Sequence, residues 1–131
     1  MQPALLSAQL LCLAFLAILF LQSGLDKVFN YKGNKEWLEG HFSKSPLKGM
    51  TGLMIPVITL LEITSGIFCA VGIVFLLIDG TSTFGLIGAQ LSALSIVFLF
   101  FGQRVAQDYV GAATLTTYFI ISIMTIWLLG I

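Results

Sequence analysis

Between Leu53 and Ile78 the chain runs as one unbroken apolar stretch with a single charged side chain inside it, Glu62. Three further stretches have the same character: Ala4 to Gln22, Phe84 to Phe101 and Val110 to Ile131. A bilayer core is about 30 Å thick, so at a rise of about 1.5 Å per residue a helix crosses it in about 20 residues. Four such stretches in 131 residues leave one real loop, 23–52, and no room for a separate soluble domain. The composition agrees, with 58% hydrophobic and 9% charged residues. The expected fold is all-α: a single integral membrane four-helix bundle over 1–131, with spans at about 4–22, 53–78, 84–101 and 110–131. The first stretch lacks a basic start and a small-x-small cleavage site, and is read as a retained helix rather than a signal peptide.

The basic residues give an orientation. Lys27, Lys32, Lys35, Lys44 and Lys48 lie in the first loop, and Arg104 lies between the third and fourth spans. By the positive-inside bias, loops 1 and 3 face the cytoplasm and both termini face out, which predicts a multi-pass protein of the bacterial cytoplasmic (inner) membrane. A formal net charge of zero and the lack of a basic run argue against nucleic acid as a partner. In the long loop, Tyr31-Lys-Gly-Asn reads as a turn, with Asn34 capping a short amphipathic interfacial helix Lys35 to Phe42. Trp37, Leu38 and Phe42 supply its apolar side, as a membrane-surface anchor or as a lid over a site between the helices. His41 reads as a surface histidine, since nothing nearby in sequence completes a metal set.

Glu62 is the main functional candidate, because an ionisable group at that position costs roughly 3 kcal/mol to insert. It shares a ridge with Gly66 and Ala70, flanked by Ser65 and Cys69. Gly85, Ala89 and Ala93 form a matching small ridge on the third span, so close helix packing is expected. Pro56 should loosen the first turns of the second span. If the second and fourth spans are neighbours, depth matching pairs Glu62 with Tyr118 or Thr114, with Gln90 completing a buried polar site less well. With no cation assigned to that depth, the carboxyl is expected to be neutral at pH 7. A second polar cluster, at the cytoplasmic rim, is expected from Gln22, Asp26, Lys27, Arg104 and Asp108, with Arg104 pairing to Asp108 or Asp26. It reads as a structural staple or as a shallow pocket under the amphipathic segment. Cys12 and Cys69 stand alone on different helices, which excludes a paired-cysteine redox relay and leaves no metal, haem or iron–sulfur ligand set.

Two motifs carry a family resemblance. Ser23-Gly-Leu-Asp-Lys27-Val-Phe resembles the Ser-Gly-x-x-Lys-hydrophobic signature of the DoxX/DoxD family, and Leu61-Glu62-Ile-Thr-Ser-Gly66-Ile is similar to its Leu-Glu-x-x-x-Gly element. The four-helix plan with a longer first loop also resembles that family, so the likeness spans essentially the whole chain. It directs interest to Gly24, Lys27, Glu62 and Gly66. It also implies a link to quinone-coupled sulfur oxidation alongside a second polypeptide, or to membrane assemblies answering redox stress. Three readings follow. The chain is a non-catalytic accessory or scaffold subunit of a larger membrane complex, with a membrane-protein partner or a homo-oligomer and surrounding lipid. Alternatively it is the membrane subunit of a quinone-linked oxidoreductase of the thiosulfate:quinone type, with quinone as cofactor, or a proton or small-solute carrier working through Glu62.

Overall fold

The structure, a computed structural model, describes residues 3–43 and 51–131. Lys44 and Lys48, counted in the orientation argument, lie outside the described residues. Five helices follow in order: α1 (Pro3–Phe29), α2 (Tyr31–His41), α3 (Thr51–Ile78), α4 (Thr83–Val105) and α5 (Tyr109–Gly130). Four of them, α1, α3, α4 and α5, are long and apolar enough to cross a membrane, and α2 is the short helix of the first loop. The protein is therefore an all-helical membrane bundle.

The helix ends differ from those expected. α1 does not stop at Gln22 but continues to Phe29, and α4 runs past Phe101 to Val105. Polarity marks where a chain leaves the hydrocarbon, whereas a helix ends only where its backbone pattern is broken, and nothing in Ser23–Lys27 breaks it. The break falls at a single residue, Asn30 (φ −123°, ψ 48°). The expected turn at Tyr31–Asn34 is helical, and Asn34 is no cap: its amide donates back to the Asn30 carbonyl (2.9 Å) and the Asp26 carboxylate (3.2 Å). Two tight corners close the remaining connections. Gly80 takes φ +78°, and the Thr81 hydroxyl and N–H hold the Asp79 carboxyl below the ordinary carboxylate range. At the other corner Asp108 caps α5 by accepting from the Gly111 N–H at 3.0 Å.

The spanning helices form a ring in the order α1, α3, α4, α5, with α1 closing onto α5. Among the described residues α3 and α5 lie diagonally opposite and do not touch. The core inside the ring is built from Leu13, Leu16, Phe20, Cys69, Leu76, Ala89, Ile96 and Leu129. Lipid is as apolar as these side chains, so close backbone approach has to hold the helices together. On α3, Gly66 packs against Leu21 of α1, rather than against the third span, and Ala70 packs on the core. The α3–α4 seam uses the next face of α3: Ser65, Cys69 and Gly72 meet Gly85, Gly88, Ser92 and Ser95. The Ser65 and Ser95 hydroxyls lie 3.4 Å apart, and Cys69 Sγ lies 3.8 Å from Ser92 Oγ. Each of the three serines also donates to the carbonyl four residues back on its own helix, so no buried hydroxyl of the seam lacks a partner.

The seam is tight enough to test. A methyl group at Gly72 would come within 2.6 Å of the Gly85 nitrogen, and one at Gly88 within 2.6 Å of the Cys69 nitrogen, both fixed backbone atoms. Gly72→Val and Gly88→Val should each lower stability by about 1–3 kcal/mol through overpacking. Gly40→Ala on α2, where nothing lies within 4 Å, should be neutral or mildly stabilising. Thermal unfolding in one detergent compares them, and equal melting temperatures for all three variants would contradict the seam.

Candidate functional site

Glu62 is fully buried, and it is charged-paired. The partner is Lys27, which the continued helix of α1 carries to the same depth. Its ammonium lies 3.1 Å from Glu62 Oε1 and 3.3 Å from Oε2, and it also donates to Ser23 Oγ at 3.0 Å. The ammonium straddles the carboxylate, with the well-directed hydrogen bond going to Oε2 while Oε1 is held by charge alone. The expectation of a neutral carboxyl rested on the lack of a cation at that depth, and that premise fails. Gly24 makes the approach feasible: a side chain there would meet Ile63 Cγ1 at 2.6 Å and Glu62 Cβ at 3.5 Å. Ser23, Gly24 and Lys27 on one helix thus dock onto Glu62, Ile63 and Gly66 on the other.

The other members of the expected buried polar site lie elsewhere, because the ring order puts α5 across the bundle from α3. Tyr118 packs on the core beside Phe15, with ring centroids 6.2 Å apart. Thr114 is exposed, its hydroxyl donating to the Val110 carbonyl at 3.1 Å. Gln90 is exposed on the outside of α4.

The expected rim cluster also divides. Gln22 is exposed, Asp26 accepts from Asn34, and Lys27 turns inward to Glu62. The Arg104 guanidinium lies 4.5 Å above the Tyr109 ring, and no ion pair among the described residues includes it. Asp108 caps α5, and one of its oxygens is 3.7 Å from His41 Nε2.

His41 is the residue that the sequence reading passed over. Its Nε2 lies 2.7 Å from Gln103 Oε1, an arrangement that requires the ring proton on that nitrogen. Trp37 stacks on it one turn earlier at 4.6 Å, and Phe42 meets it edge-on. Phe42 is buried against Gly102 of α4, whose missing side chain makes the room. The Trp37-x-x-x-His41 spacing was a signal that both rings share a face of α2. Nothing in the spacing says that this face meets the α4–α5 corner.

Under α2 these contacts border an open-sided cavity of about 340 Å³. Trp37, Leu38 and Phe42 roof it, Met54, Ile55, Val57 and Ile58 of α3 form one wall, and Phe98, Leu99 and Phe101 of α4 form the other. Its polar edge is Lys27, Asn34, His41 and Gln103. An apolar chamber with a few convergent polar groups is the usual form of a small-molecule site. Lys27 lines this cavity while its ammonium is engaged by Ser23 and by both oxygens of Glu62. Among the described residues no three of His, Cys, Asp and Glu converge as a metal set, and Cys12 and Cys69 are both free thiols.

The DoxX family profile matches residues 9–95, about two thirds of the chain. The chain belongs to the DoxX family. The matched span includes both motifs that meet at Lys27 and Glu62 and stops within α4, short of Gln103 and of α5. No curated protein matches the chain, and no solved structure does.

In this DoxX protein the Lys27–Glu62 pair should behave as a unit. Lys27→Met alone strands a buried carboxylate and should cost about 3–5 kcal/mol, whereas Lys27→Met with Glu62→Gln should recover most of that loss. A double-mutant cycle by denaturant or thermal unfolding reads the coupling. Additive losses would show that the two side chains act separately.

Proposed function

We propose that this DoxX protein is a non-catalytic accessory subunit of a larger complex, and that it holds a quinone-class, lipid-soluble molecule in the cavity beneath α2 for a redox partner. The observation that carries this reading is the cavity itself: an apolar, aromatic-lined chamber of about 340 Å³ with Lys27, Asn34, His41 and Gln103 at its polar edge. Glu62 already balances the charge of Lys27, so the site favours a neutral head with an acceptor oxygen over a full anion. Flat rings suit the faces of Trp37, Phe98 and Phe101. The partner supplies the electrons, and this chain supplies a fixed place for the head group at the membrane edge. Lys27, Lys32, Lys35 and Arg104 gather at the α2 end of the bundle, which supports placing that end at the cytoplasmic face of a bacterial inner membrane.

A membrane subunit of a quinone-linked oxidoreductase of the thiosulfate:quinone type is the narrower form of the same reading, favoured by the same cavity. The carrier reading draws no support from the fold. The polar side chains of α5 that could offer a path, Thr114, Thr117, Tyr118, Ser122 and Thr125, lie across the bundle from Glu62, and the Thr114, Ser122 and Thr125 hydroxyls bond to carbonyls of their own helix.

Trp37 lines the cavity, and the chain has one other tryptophan, Trp127, on α5. In a Trp127→Phe background a short-chain benzoquinone should quench Trp37 fluorescence saturably. The quench should weaken by about tenfold in affinity, from loss of one charge-assisted hydrogen bond, in the Lys27→Met, Glu62→Gln double variant. Linear, non-saturating quenching identical in both proteins would remove the quinone assignment.

A further inference from the structure

The face of α4 that points away from the bundle carries a polar group that lipid cannot satisfy. Gln90 is exposed on α4, seven residues and roughly 10 Å from the helix start, well inside the hydrocarbon. Its amide is absent from the hydrogen bonds among the described residues, and a primary amide in lipid carries two donors and an acceptor with no water to meet them. It shares an exposed stripe with Leu94 and Val97, at spacings of four and three residues. A second, independent feature adjoins the stripe. Val97 also borders a shallow apolar groove of about 170 Å³ between α4 and α5, closed by Phe100, Thr116 and Phe119. A polar group on an exposed stripe whose far end, about 10 Å along the helix at Val97, borders an unfilled notch fits a helix-packing surface.

We infer that a second copy of this chain packs on this face, α4 against α4, with the two Gln90 amides bonding reciprocally. Three points favour a copy over another occupant. The glutamine amide is both donor and acceptor, so two of them satisfy each other across a two-fold axis. A two-fold along the membrane normal places both amides at the same depth by symmetry, whereas a different protein would need its own polar group at that level. Leu94 and Val97, exposed on the same stripe, give the facing α4 an apolar surface to pack on around the amides. Lipid tails would fill the groove but leave the amide unpaired. This assembly does not depend on the quinone reading, since the cavity opens beneath α2 and is read by Trp37.

The test uses the full chain with Gln90 kept, Cys12 and Cys69 replaced by alanine and Leu94→Cys introduced on the same exposed stripe, oxidised in native membranes. A covalent product of twice the 14.2 kDa chain mass is expected, and Ile18→Cys, on the exposed face of α1, should give none. In mild detergent, Gln90→Leu should weaken dimerisation about tenfold or more without changing helix content, because leucine suits a lipid-facing site. Trp37 quenching in the same variant should be unchanged. Three results would overturn the inference: no cross-link at position 94 above the Ile18→Cys level, an unchanged dimer in Gln90→Leu, or cross-linking only to a different polypeptide, which would give the face to a heterologous partner.

Discussion

Much of the architecture depends on the need to pair one buried carboxylate. Glu62 has no exposed surface, so an ionised group there is tolerated only with a counter-charge in contact. Supplying that charge from α1 requires the helix to stay wound through Lys27, beyond the end of its apolar stretch. It also requires the two backbones to approach, which Gly24 and Gly66 allow from either side of the pair. Once α1 has been carried that far, the break at Asn30 starts α2 immediately. The loop helix is thereby tied to the site that its chain has just built.

The ring order determines which polar groups share a surface. Small residues on three faces set it: Gly66 toward α1, Cys69 and Gly72 toward α4, and Gly85 where α4 meets Leu13 and Leu129. With α3 held between α1 and α4, α5 closes the ring from the far side and never reaches Glu62. The family match covers α1 and α3 and stops on α4 at Ser95, the last serine of the α3–α4 seam. The part that the family profile recognises is thus the part that builds the ion pair and the seam.

The four spans were legible because twenty apolar residues in a row admit few other structures. Glu62 and the small ridges were legible for the same reason, as departures from a uniform background. The pairing was not, because depth had been counted from apolar midpoints, which end α1 at Gln22 and leave Lys27 in a loop. Tyr118 and Thr114 were placed beside Glu62 by depth alone, and depth says nothing about which helices are neighbours. His41 was lost because its partners, Gln103 and Asp108, are some sixty residues away in the chain, and a lone histidine has no local pattern. Residues with a periodic or compositional signature were found, and those whose role comes from chain topology were not.

Topology also decides how the cavity opens. α2 is tied down at both ends: Asn34 to Asp26 and the Asn30 carbonyl near the break, and His41 to Gln103 with Phe42 on Gly102 at the far end. Between them Trp37 and Leu38 span the chamber, and Trp37 remains 59% exposed. The far end is held by the His41–Gln103 hydrogen bond, worth about 0.5–1.5 kcal/mol, and by burial of Phe42, worth about 1.5–3 kcal/mol, whereas the wall behind is held by a buried charged pair.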